Sequence, residues 1–358
     1  MSTVEQSSAA GIRLGLLISR DEPGTSDPVV TLAQSVERAT RARDAGFEMI
    51  SVAHRYSFGP SADADEASLF TWRFQPFLML AYLAARLGDT VDYATSVLVS
   101  PGLHPVQLAE DVATLDAMCH GRLKVGIGLG WMPYEFEAFG VTSTGRARRF
   151  DELLETYRAL TTQDSVTSAG PHFPVAGRSL VAHGIQRPVP LWIGASADAA
   201  VRRAARYGDA WVMTAHMDVA TLVEQQRLYH AELARWDRPR PARVPVNRML
   251  AIAEDRDTAL REIRPMIEDW YRKRGTWGWF LTEDTASDIT AIGDRWIVGD
   301  PDDCVEQILA LRRELGATDV ILATPFPGAD QVTRLRMIDL VGEHVIPRLA
   351  AAAAESVA

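Results

Sequence analysis

Short β-branched and apolar runs alternate eight times with longer amphipathic segments along this chain. A period of two and a period of 3.6 cannot share one segment, so the alternation reads as parallel strands joined by helical crossovers. The strand runs fall at 13–18, 47–53, 91–99, 122–129, 189–193, 209–213, 244–251 and 319–323. Helical patterns occupy 28–45, 77–87, 106–118, 148–161, 197–207, part of 219–236, 256–274, 301–315 and 331–349. Gly46, Gly88 and Gly316 stand at helix C-terminal stops, and Asp300-Pro301 supplies a cap and a first-position proline. Eight strands with crossovers is the number that closes a parallel barrel, so the fold class is α/β, a (β/α)8 TIM barrel. Two stretches exceed an ordinary connector. Residues 162–187, rich in Gly, Pro and Ser, are expected to hold a small hairpin or an excursion over the barrel. The next unit after strand seven does not open until Gly299, which predicts an insertion there. The domain is expected to span 11–349, with 350–358 as a frayed tail.

The length of 358 residues is compatible with one barrel, since such domains run past ~250 residues. Hydrophobic residues at 47% suffice for a large core. A formal net charge of −10 argues against nucleic acid or an anionic membrane as partner. Cys119 and Cys304 lie outside any C-x-x-C pair and read as reduced, buried thiols of a cytosolic protein. Residues 1–10 are polar and lack a signal-peptide pattern, and no apolar run approaches the ~18 residues of a membrane span. The expected location is therefore cytoplasmic. The sequence carries no H-E-x-x-H, carboxylate-rich cluster, P-loop or G-x-S-x-G, so no metal site is expected.

In a β/α barrel the active site lies at the strand C-termini, which selects the candidates. Strand two ends in Ala53-His54-Arg55-Tyr56, where His54 and Arg55 could orient a substrate or hold an anion, or serve packing alone. Strand three carries Thr95-Ser96-Val97, suited to backbone contact with a planar ring or to an ordinary buried strand. Strand four ends in Gly126-Ile127-Gly128-Leu129-Gly130-Trp131. Alternate glycines admit either a flat ligand or close packing within the barrel. Strand five ends in Gly194-Ala195-Ser196 at a helix start, which suits a phosphate; Ser196 could equally be a simple N-cap. Trp72, Trp131, Trp277 and Trp279 could wall an apolar substrate pocket or pack a lid.

Several segments together resemble the bacterial luciferase-like flavin and deazaflavin oxidoreductases. They are Leu108-Ala109-Glu110-Asp111 through Thr114-Leu115-Asp116, Gly121-Arg122-Leu123, Gly126 through Trp131, Glu135-Phe136, Pro190 through Ser196, Ala204 through Asp209, and Gly299-Asp300-Pro301. The resemblance spans nearly the whole chain and implies a barrel with an insertion after strand seven. It also implies a non-proline cis peptide at Ser96–Val97 backing a flavin ring, with Ser196 as a phosphate contact. On this reading Ser96, Val97, Gly128, Leu129, Gly130, Gly194, Ala195 and Ser196 bind the cofactor. Two positions depart from the family. His54-Arg55 stands where an acidic residue or Gln and then His are usual, and Leu129 replaces a phosphate-binding arginine.

The resemblance implies an oxidoreductase, and the aromatic-rich pocket favours a monooxygenase. That enzyme would take reduced FMN from a separate flavin reductase and act with oxygen on an apolar small-molecule substrate. A dehydrogenase or reductase using the deazaflavin coenzyme F-420 is the alternative, and a non-catalytic flavin-binding protein is a third. Relatives often dimerise, so the resemblance also implies a homodimer.

Overall fold

A computed structural model of the chain describes residues 11–18, 27–56, 74–142, 144–274, 289–324 and 329–355. Its strands are β1 (Arg13–Ile18), β2 (Met49–Val52), β3 (Asp92–Thr95), β4 (Leu98–Val99), β5 (Leu123–Gly128), β6 (Val166–Ser168), β7 (Val175–Arg178), β8 (Leu191–Ala195), β9 (Ala210–Met213), β10 (Pro245–Ile252), β11 (Trp296–Gly299) and β12 (Asp319–Ala323). Its helices are α1 (Pro28–Asp44), α2 (Pro76–Leu87), α3 (Pro105–Met118), α4 (Pro133–Ala138), α5 (Arg146–Thr162), α6 (Asp198–Tyr207), α7 (Val219–Arg235), α8 (Arg256–Arg274), α9 (Pro301–Leu315), α10 (Gln331–Leu340) and α11 (Ile346–Glu355).

Hydrogen bonding orders the strands β10-β12-β1-β2-β3-β5-β8-β9, and β9 pairs in turn with β10. These are the eight predicted strands in chain order, closed as a (β/α)8 TIM barrel. β11 pairs in parallel with the C-terminal half of β10, Met249 opposite Trp296 and Ala251 opposite Val298. It lies in the stretch predicted as an insertion after strand seven, but its four residues are too few to show a period in the sequence. The predicted strand three is split into β3 and β4, with the break at Ser96–Val97. The long polar connector does hold a hairpin, β6 antiparallel to β7 with an irregular register.

The tail expected to fray is helical to Glu355. Its alanines have the strongest helix propensity of any residue, and buried Leu349 anchors the helix.

The chain forms two compact units: residues 1–50, 213–227 and 242–358, and residues 51–212 and 228–241. In the first, β10 pairs with β12 and β12 with β1, setting Arg248 opposite Leu322 and Leu322 opposite Leu16. Ala251 and Ala253 pack with Ala259, Ile263 and Ile267 of α8 and with Trp296 and Val298 of β11. The second unit is built on β3, β5 and β8, with Tyr93 opposite Leu123, Gly126 opposite Trp192 and Gly128 opposite Gly194. Helix α2 shows why its sequence folds as it does. Pro76 begins it; Met79, Leu80, Leu83 and Leu87 bury one face; and Gly88 ends it at φ 67°. Each fully buried leucine of this kind contributes about 1.5–3 kcal/mol. Among the described residues no helix is long and apolar enough to cross a membrane.

Candidate active site

The second unit contains every described residue of the predicted site. Its centre is the break in strand three. The Ser96–Val97 peptide bond is cis, as the resemblance implied. The Ser96 N–H donates to the carbonyl of Val52 at 2.9 Å, and Thr95 Oγ1 donates to the carbonyl of Gly126 at 2.7 Å. The side chain of Val97 rests on the ends of two neighbouring strands. A Cβ at Gly128 or at Gly194 would meet Val97 Cγ2 at 3.1 or 3.0 Å. At Gly126 a Cβ would stand 2.0 Å from the Thr95 carbonyl oxygen. The glycine alternation in strand four therefore admits the chain's own strand-three end. The ends of β3, β5 and β8 converge on Val97.

The segment after Val97 is held from several sides. The Val99 N–H donates to His54 Nδ1 at 3.1 Å, and the Ser100 N–H donates to the Gly128 carbonyl at 3.1 Å. Ser100 Oγ donates to the carbonyl of Leu129 at 2.8 Å. Arg149, on α5, donates to the carbonyls of Ser100 and Leu103 at 3.4 and 3.1 Å. The Tyr56 hydroxyl lies close against Gly102, where a Cβ would meet it at 2.3 Å. The Tyr56 ring packs against His54 and Phe139, at centroid distances of 4.6 and 4.7 Å.

The strand-two loop is itself anchored by α4. The Tyr56 N–H donates to Glu135 Oε1 at 3.1 Å, and Arg55 Nη2 donates to the Tyr134 hydroxyl at 2.7 Å. Glu135 is buried. Burial, and then the charge of Glu135, raise the Tyr56 hydroxyl above its ordinary range, so it stays a neutral phenol. Burial lowers the Arg149 guanidinium.

At the end of β8, the Ala195 carbonyl accepts Trp211 Nε1–H at 3.0 Å. The N-cap of α6 is Ala197, whose side chain makes no cap hydrogen bond. Ser196 is thus not the simple cap that one reading of the sequence offered. It stands half-buried one residue before an N-terminus of the kind that binds phosphate. Gly130 adopts φ 86°, which a glycine accepts without strain, beside half-buried Leu129 and exposed Trp131. Trp72, Trp277 and Trp279 lie outside the described residues.

The sequence reading singled out His54 and Arg55 but missed Tyr56, Gly102, Glu135 and Arg149. Their signals were adjacency to His54, membership of the Pro101-Gly102 turn and the Glu135-Phe136 pair. Arg149 had none, because helix α5 reaches this loop only in the folded chain.

Cys119 lies in this unit and Cys304 in the other. Both are buried, and burial pushes each thiol up to about 12, which leaves neither as a nucleophile. Among the described residues no group of three or more His, Cys, Asp or Glu is placed to hold a metal ion.

The family model "Luciferase-like monooxygenase" matches residues 12–319. An FMNH2-dependent dimethylsulfone monooxygenase of Pseudomonas fluorescens is 30% identical over 207 residues, which cover 56% of this chain and 52% of that protein. The chain thus spans about half the length of that relative. The crystal structure of the monooxygenase RslO1 from Streptomyces bottropensis superposes with a TM-score of 0.79 at 22% identity, covering 94% of this chain and 99% of that one. The coenzyme F420-dependent tetrahydromethanopterin reductase of Methanopyrus kandleri superposes with a TM-score of 0.71 at 18% identity, covering 95% and 100%.

Proposed function

Because the chain belongs to the luciferase-like monooxygenase family, an oxidoreductase family, we propose that it uses reduced FMN and oxygen to oxygenate a small, apolar organic substrate. The observation that carries this reading is the convergence of three strand ends on Val97, with the start of α6 directly beyond β8. FMN makes two physical demands, a flat apolar surface for its ring and donors for its phosphate. Val97, with the backbone of Ser96, Gly128 and Gly194, would support the ring. Ser196 and the first backbone N–H groups of α6 would hold the phosphate, aided by the positive end of the helix dipole. Bound FMN would supply the redox chemistry.

The protein's part is to bind, orient and keep water away. Trp131, Trp72, Trp277 and Trp279 would provide apolar wall, and a separate flavin reductase would deliver the reduced cofactor. Leu129 stands where the family's phosphate-binding arginine is usual, so the N–H groups at the start of α6 and the Ser196 hydroxyl would carry more of the phosphate binding.

A second reading is favoured by the likeness to the F420-dependent reductase, which shares the fold over 95% of this chain and 100% of that one. In that reading a deazaflavin exchanges a hydride with the substrate and oxygen takes no part.

Titration of the purified protein with FMN, anaerobically reduced FMN and deazaflavin F420 separates the two. Reduced FMN is expected to bind with a dissociation constant near ~1 μM, about −8 kcal/mol. Tight binding of the deazaflavin without binding of either FMN form would overturn the proposal in favour of hydride transfer.

A further inference from the structure

His54 stands at the end of strand two, where an acid–base catalyst would be sought. Its hydrogen bond argues for another task. Nδ1 accepts the Val99 N–H, so the neutral imidazole carries its hydrogen on Nε2. Val99 lies two residues beyond Val97, the residue on which the three strand ends converge. The same short segment is gripped at four further points. The Gly128 carbonyl takes the Ser100 N–H and the Leu129 carbonyl takes Ser100 Oγ–H. Arg149 binds the Ser100 and Leu103 carbonyls, and the Tyr56 hydroxyl lies against Gly102. His54 and Tyr56 touch each other, and the Tyr56 backbone is fastened to buried Glu135.

We propose that His54 is a positioning residue: with Tyr56 and Arg149 it clamps residues 99–103, and so fixes the Ser96–Val97 step against which the flavin ring would lie. It moves no proton. Glu135 serves the same clamp by holding the loop that carries His54 and Tyr56. The inference rests on the flavin-binding reading above and assigns that site its supporting shell. A backbone step that backs a ring must be placed to a fraction of an ångström, and the residues that place it need not touch the ring.

Substitution at His54 in the full-length chain provides the test. His54→Asn sets an amide oxygen near the place of Nδ1, where it accepts the Val99 N–H but cannot shuttle a proton. His54→Leu fills the volume without an acceptor. FMN affinity in His54→Asn is expected to stay within about threefold of the original protein, with the bound-flavin absorbance spectrum unchanged. His54→Leu, which leaves a backbone donor unanswered, is expected to lose roughly tenfold or more and to shift that spectrum. Equal loss in both variants, or full affinity in His54→Leu, would overturn the proposal.

Amide hydrogen exchange at Val99 gives a reading independent of flavin. Protection in the original protein and in His54→Asn, with at least tenfold faster exchange in His54→Leu, supports the clamp. Identical exchange in all three defeats it. If neither FMN nor F420 binds the original protein, the functional reading fails, while the exchange measurement still decides the clamp. A shared fall in melting temperature with neither affinity nor exchange altered would mark His54 as mere packing and also defeat the proposal.

Discussion

At Gly126 one added carbon would sit 2.0 Å from a backbone carbonyl, that of Thr95, which cannot swing aside. At Gly102 the same addition meets side chains, the Tyr56 hydroxyl at 2.3 Å and the Phe139 ring at 2.7 Å. The difference predicts an order. Gly126→Ala should cost about 3 kcal/mol, the upper end for overpacking a core, and Gly102→Ala about 1 kcal/mol as the two rings shift. Denaturant unfolding of both variants checks it, and a larger loss at Gly102 would show that the strand-three end yields more easily than the rim. The glycine alternation at 126, 128 and 130 was plain in the sequence, but its meaning was not. The atoms that fill the spaces, Thr95 O and the methyls of Val97, come from another strand, and no local pattern names them. His54 was legible for its position at a strand end; its partner, the Val99 amide, was not.

Among the elements, local signals were the most dependable where they concern helix ends. Asp300 was read as a cap with Pro301 behind it. In the structure its side chain accepts the Asp303 N–H at 2.9 Å while Asp303 reaches back to the Asp300 N–H, and Gly316 closes the helix at φ 67°. Asp300→Ala should cost about 1 kcal/mol in denaturant unfolding. Helix α7 carries a pH-dependent end. Asp218 accepts the Thr221 N–H at 2.8 Å and pairs with Arg295 at 2.7 Å; these partners, the Thr221 bond foremost, hold its carboxyl below the ordinary range. A carboxyl depressed in the folded state contributes fully above its unfolded value of ~3.9 and loses that contribution as pH falls through the folded value. Melting temperatures at pH 7 and pH 3 should therefore differ less in Asp218→Asn than in the original protein. An equal drop in both would refute the link. The elements the sequence missed, β11 and α4, have four and six residues. Runs of that length do not complete enough periods to be read.

For the whole molecule, each compact unit carries one buried thiol, Cys119 in one and Cys304 in the other. Neither should react with a disulfide reagent such as DTNB in native buffer within minutes, and both should react once denaturant opens the chain. A thiol that titrates at once would show that its unit opens locally. The eight-strand barrel itself was determined by the sequence, because alternating periods of two and 3.6 admit few arrangements and eight crossovers close a ring. Helix stops, the burial of both cysteines and the hairpin between the fourth and fifth barrel strands were determined in the same way, by residues close together in the chain. The family too was visible there, as short motifs spread over nearly the full length. Only the tertiary structure decided what those motifs do. It brought Val97 onto Gly128 and Gly194, gave His54 the amide of Val99, and set Arg149 and Glu135 around the same loop. Hydrogen bonds and close contacts between strand ends depend on register, tilt and packing, and those quantities exist only once the ring is closed.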